Sequence, residues 1–169
     1  TVVTDGSLGL FATHAALVLD DDGETLIGHL ARANPQCADL GGPILAVFLG
    51  PHAFVSSRWY GQPERHVPTW NYVAVHARGQ GEVLADPLPA LARLMAAMQP
   101  EDPVPSGDAP RDTLVERMAG GIVAFRIHGI TWSAKHKLSQ NRDPDDQARV
   151  EAALASSPDA HAREIAERG

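Results

Sequence analysis

Apolar positions along this chain follow a strand period far more often than a helical one. Thr1-Val2-Val3-Thr4 is β-branched strand material from the first residue, with neither an initiating Met nor a charged leader, and predicts a sequence that starts mid-domain. Leu10–Leu19 reads as a strand, Asp20-Asp21-Asp22-Gly23 as a turn, and Thr25–Ala31 as a second strand, together a β-hairpin. Ile44–Gly50 is a continuous apolar run closed by Gly50-Pro51, the pattern of a strand buried on both faces. Residues 56–68, with Pro63 and Pro68, read as a surface loop leading into Trp70–Arg78. There Trp70, Tyr72, Ala74 and His76 alternate with Asn71, Val73, Val75 and Ala77.

Helical signals come late. Asp86-Pro87 caps a stretch with Leu88, Leu91, Leu94, Met95 and Met98 at amphipathic spacing. Gln99–Pro110 is a proline-rich excursion, and Thr113–Ala119 a turn or two of helix ended by Gly120-Gly121. Ile122–Ile130 is the last long strand. Asp143-Pro144-Asp145-Asp146 and Ser157-Pro158-Asp159 then open two helices, so helices are expected from about residue 144. Strands without βαβ alternation predict a mainly β, largely antiparallel sheet or barrel with peripheral helices.

The length of 169 residues fits a single domain spanning 1–169. A net charge of −7 argues against coating nucleic acid through a basic face. Apolar residues at 44% and charged residues at 21% place the chain with self-folding globular domains. The lone Cys37 can form neither an internal disulfide nor a thiolate metal cluster, and no apolar run reaches membrane length. That composition predicts a cytoplasmic protein without membrane association. Eight scattered histidines without H-E-x-x-H give no metal motif, and G-x-S-x-G, P-loop and G-x-G-x-x-G patterns are absent.

Three segments hold more reactive side chains than a plain scaffold requires. In Gly28-His29-Leu30-Ala31-Arg32-Ala33-Asn34-Pro35 small residues leave backbone open to a ligand, and a guanidinium fork suits phosphate; a strand end with a surface Arg and an Asn-Pro turn is the bland alternative. In Val67–Tyr72 two rings and an amide sit at the mouth of a strand, where they either flank a planar ligand or pack as core. Lys135–Arg142 is a basic, polar stretch before a capped helix, either a lid over an anionic ligand or a solvated strand end.

Taken in order, GHLARANPQ, GPHAFVSSRWY, VPTWNYVAVHARG and KLSQNR resemble the PaiB-type family of negative transcriptional regulators, which carry an FMN-binding domain. The likeness runs from Thr13-His14 to the helix capped by Asp143, with Phe54 standing where Tyr is common. It implies an FMN-binding split β-barrel related to pyridoxamine phosphate oxidases, a homodimer with FMN at the subunit interface, and an additional N-terminal segment before Thr1. It also implies cofactor-binding roles. His29, Ala31, Arg32 and Asn34 would hold phosphate and ribityl chain, Trp70 and Asn71 would flank the ring, Lys137, Ser139 and Gln140 would close the site, and His14 would also belong to the cofactor-binding set. The regulator label implies DNA, which the acidic charge and the lack of a helix-turn-helix do not support. The rival class is a flavin-dependent oxidoreductase, an FMN reductase or oxidase, and a third is a haem binder with a histidine ligand.

Overall fold

The computed structural model describes residues 1–99 and 115–169. Seven strands form one sheet: β1 (Val2–Gly6), β2 (Gly9–Thr13), β3 (Leu17–Leu19), β4 (Leu26–Ala31), β5 (Pro43–Val55), β6 (Thr69–Val83) and β7 (Ile122–Lys137), in the order β2-β1-β5-β6-β7-β4-β3. The pairings β1–β2, β1–β5, β3–β4 and β4–β7 are antiparallel. The helices include α1 (Leu88–Met98), α2 (Pro144–Ala155) and α3 (Ala160–Ala166). The expected mainly antiparallel sheet with peripheral helices is observed.

By packing, the chain forms two compact units, Thr1–Val47 with Ala77–Trp132, and Phe48–His76 with Ser133–Gly169. In the first, the β3–β4 hairpin closes through Asp20 and Thr25, with Gly23 in the left-handed region at φ 71° and the Asp22 carboxylate accepting from the Glu24 and Thr25 amides. Asp86 accepts from Leu88 N–H at 3.0 Å to start α1, which buries Ala90 and Leu94 against Val18, Ile27 and Ala124. Leu88 and Met98, expected on that apolar stripe, are exposed, because the helix is covered at its middle turns. In the second unit, Ala53 and Val55 of β5 pack with Tyr60, with Val150 and Leu154 of α2, and with Ala162, Ile165 and Ala166 of α3. Asp143 caps α2 as its spacing predicts, whereas α3 starts two residues later than Ser157-Pro158 implies, with Asp159 as its cap accepting from His161 N–H.

Several boundaries differ from the expectation. The run Leu10–Leu19 is interrupted at residues 14–16, and its halves pair with β1 and β4 respectively. β5 passes through Gly50-Pro51 to Val55. Its β1 partner ends opposite Ala46, so along that edge Pro51 costs no ladder bond. On β6 the buried positions are Asn71, Ala74, Ala77 and Gly81, not one alternating set, since both faces of the strand are partly covered. β7 continues beyond Ile130 to Lys137, with Gly129 at φ 61° taking up a local bend. Most of the Gln99–Pro110 excursion and residues 113–114 of the expected Thr113–Ala119 helix fall outside the described residues; 115–119 are helical.

Candidate functional site

In the first unit β4 ends at Ala31 opposite Ile122, and Arg32 N–H continues the ladder to Gly121 C=O at 2.8 Å. Before that end, Gly28 is dictated by packing, since a Cβ there would collide with Leu17 and the Phe125 ring. His29 Nδ1 is buried without a partner among the described residues, and burial pulls its pKa below the ordinary imidazole value, which keeps the ring neutral. Arg32 is exposed. Its Nε donates to Gly120 C=O and its Nη2 to Ile122 C=O, each at 2.7 Å, and no carboxylate pairs with it among the described residues. Ala31 and Ala33 on either side are exposed as well.

Two neighbouring candidates are committed elsewhere. Asn34 caps the 3-10 turn Pro35–Asp39 by accepting from Gln36 N–H, and its Nδ2 donates to Thr13 Oγ1 at 2.9 Å. His14 is exposed and lies 2.9 Å from Thr1 Oγ1. The Gln of the same motif, Gln36, is a buried brace whose Nε2 donates to Val2 C=O, Thr4 Oγ1 and Phe11 C=O. Burial pushes the Cys37 thiol pKa up, and the Arg32 charge partly opposes it.

In the second unit Trp70 and Asn71 leave β6 on opposite sides, as strand geometry requires. Trp70 is 47% exposed and stacks on His52, whose other neighbour is the His161 ring. Asn71 is 1% exposed and donates from Nδ2 to Ser139 Oγ at 3.0 Å. Ser139 is itself buried at φ 71°, and among the described residues it alone is a non-glycine with positive φ. Gln140 closes the turn on itself, its Oε1 accepting from Leu138 N–H and its Nε2 donating to His136 C=O. Lys137 Nζ donates to Thr69 Oγ1 at 2.7 Å. Asn71, Leu138 and Gln140 line one side of a cavity of about 330 Å³ whose other walls include Val150, Leu154 and Ile165.

A second polar cluster in this unit carried no sequence signal. Asp146, buried on α2, accepts from Gly61 N–H at 2.7 Å and faces His66 Nε2 at 3.6 Å. Arg142 stands 4.7 Å over the Tyr60 ring and lies 3.0 Å from His66 Nδ1. A guanidinium has no acceptor, so in this contact Arg142 donates and His66 Nδ1 accepts. His66 and Arg142 are 76 residues apart, beyond the reach of any local motif.

The structure thus brings Asn71, Ser139 and Gln140 together with Lys137 nearby on the same turn, and turns Trp70 to the other face. The set His29, Ala31, Arg32 and Asn34 forms a separate group at the end of β4. Among the described residues no three His, Cys, Asp or Glu side chains gather as a metal site, and no helix is long and apolar enough to cross a membrane.

The family model described as "Putative FMN-binding domain" matches residues 1–130. The chain is 36% identical over 179 aligned residues to the protease synthase and sporulation protein PAI 2 of Bacillus subtilis, covering 99% of this chain and 83% of that protein. Among solved structures it resembles the FAD and haem binding protein of Mycobacterium smegmatis, with a TM-score of 0.60 and 17% identity over 87% of this chain and 69% of that one. It also resembles the flavocytochrome Anf3 of Azotobacter vinelandii, with a TM-score of 0.50 and 14% identity over 87% and 65% respectively. These likenesses identify the fold as a split β-barrel.

Proposed function

The chain belongs to the PaiB-type family that carries the FMN-binding domain, and on that premise we propose that it binds FMN and acts as a PaiB-like negative transcriptional regulator in the form of a homodimer. One observation carries the cofactor reading: the guanidinium of Arg32, which pairs with no carboxylate among the described residues, stands exposed at the end of β4. The residues present therefore fit the group. Arg32 would bind the phosphate, and His29 keeps the part in holding the ribityl chain that the family resemblance implies. The small, exposed Ala31 and Ala33 flank Arg32. When bound, FMN supplies a redox centre whose state a regulator can sense.

Asn71 at the ring, with Lys137, Ser139 and Gln140 as closure, keeps the role that the family resemblance implies, and Trp70, on the opposite face of β6, would serve as a wall of the site or of the dimer seam. Asn71 has an amide N–H that Ser139 does not engage, which gives it capacity for a ligand edge. Asn34 braces the turn that follows β4, and His14 contacts Thr1 at the start of the chain.

The test is a visible spectrum of the purified protein with and without added FMN, followed by titration of Arg32→Ala. FMN binding should weaken by about 1.5–3 kcal/mol, the range for hydrogen bonds to charged groups, while riboflavin binding stays unchanged. An unaltered FMN affinity removes Arg32 from the site, and a protein that takes up no flavin ends the reading. NADH oxidation stimulated by FMN would favour the oxidoreductase class instead.

A further inference from the structure

We infer that the backbone carbonyls of Gly120 and Ile122 act as a positioning clamp on Arg32 that makes this site select a phosphate monoester over the unphosphorylated ligand. The inference rests on the flavin reading above and names its specificity.

Arg32 is held from three points of one backbone turn: its N–H donates to Gly121 C=O at 2.8 Å, its Nε to Gly120 C=O at 2.7 Å and its Nη2 to Ile122 C=O at 2.7 Å. Nε–H and the adjacent N–H of Nη2 form one edge of the guanidinium plane, and the two carbonyls occupy that edge. Among the described residues three of the five guanidinium donors remain unengaged, and two of these make up the distal fork of Nη1 and Nη2. Carbonyl oxygens orient the cation without neutralising it. An exposed Arg ordinarily gives up much rotamer freedom when it binds, and here the clamp has already removed it. The fork therefore meets two phosphate oxygens at little further entropic cost. A sugar hydroxyl, uncharged and single-pointed, gains little from the same fork, so the clamp discriminates by charge and geometry together.

Lysine separates charge from clamping. Its three donors share one nitrogen, so an ammonium that stays with the carbonyls has no fork to offer, and one that reaches a phosphate leaves the clamp. The clamp can also be perturbed with Arg32 intact. Gly121 N–H donates to Met118 C=O at 2.9 Å to close the turn, and Gly121→Pro removes that donor.

The full chain is titrated with FMN and with riboflavin by flavin fluorescence, as wild type, Arg32→Ala, Arg32→Lys and Gly121→Pro, each checked for an intact melt. Arg32→Ala should lose FMN affinity by about ten- to a hundredfold with riboflavin unmoved, and Arg32→Lys should lose nearly as much. Gly121→Pro should reduce the preference for FMN over riboflavin several-fold. An Arg32→Lys protein with wild-type FMN affinity overturns the clamp, because charge alone would then suffice. A folded Gly121→Pro protein with the wild-type preference overturns it too. If Gly121→Pro fails to fold, Arg32→Lys decides alone. Failure of the underlying reading looks different, since FMN affinity would then survive Arg32→Ala.

Discussion

Asn71 and Ser139 meet at 3.0 Å across 68 residues of sequence, both buried, and the contact fixes Ser139 in the left-handed region at φ 71°. The turn joining β7 to α2 is thereby fastened to β6. Ser139→Ala removes the hydroxyl and keeps the backbone penalty, leaving the Asn71 amide short of a partner, at a cost of about 1–3 kcal/mol. Ser139→Gly removes the same hydroxyl but relieves the left-handed penalty of roughly 1–2 kcal/mol. Denaturant melts should therefore rank wild type above Gly above Ala. A Gly variant no more stable than the Ala variant would show that the φ carries no strain.

Stability should also respond to pH through His29, whose pKa burial lowers below 6.5 in the folded chain. The unfolded chain takes up this proton near 6.5 while the folded chain does not, so between those values the unfolded state binds more protons. Linkage then makes stability fall as pH drops below about 6.5, until the folded ring also protonates. In His29→Gln the urea midpoint should decline less between about pH 7.5 and 5.5 than in wild type. Equal declines would place the acid sensitivity elsewhere.

The sequence made the strands and capped helices legible because their signals are local. Asp143 and Asp159 sit where N-caps must sit, and Asp20–Gly23 allows little but a turn. What it concealed is long-range. The burial of Asn71 depends on Ser139, and the guanidinium of Arg32 is oriented by carbonyls about ninety residues on, which have no side-chain signature. Asn34 looked equally suited to a ligand, yet its amide is used locally, because an Asn before Pro is also a natural cap. The Asp146–His66–Arg142 network was invisible for the same reason as the clamp.

The proposed homodimer has a structural expectation attached to β7. From His128 to His136 every residue but the half-buried Ile130 is exposed, and Trp132 is 45% exposed on a strand whose β4 partner ended at Ile127. A stretch of strand that is exposed among the described residues and runs on beyond the end of its β4 partner invites a second chain. Light scattering at micromolar concentration should give twice 18.0 kDa, and Trp132→Glu should shift the mass toward the monomer. A wild-type monomer refutes the proposal, and an unshifted Trp132→Glu dimer moves the seam off this strand.

Regulation by direct DNA contact makes a separate demand on this chain. Sequence-independent affinity comes from neutralised phosphates and grows with the number of Lys and Arg brought to the duplex. The chain has 14 such residues against 21 acids. Several of the cations already have partners: Arg126 pairs with Glu82, Arg93 with Asp20 and Asp21, Arg168 with Glu164, and Lys137 with Thr69. The basic segment Lys135–Arg142 is likewise partly spent, since Arg142 is committed to His66 and Tyr60. The purified protein should therefore bind random duplex DNA no tighter than micromolar at about 150 mM salt, with a shallow salt slope. Sub-micromolar binding with a steep slope would restore direct operator contact as the route of regulation; its absence leaves flavin state or a protein partner as the route to test next.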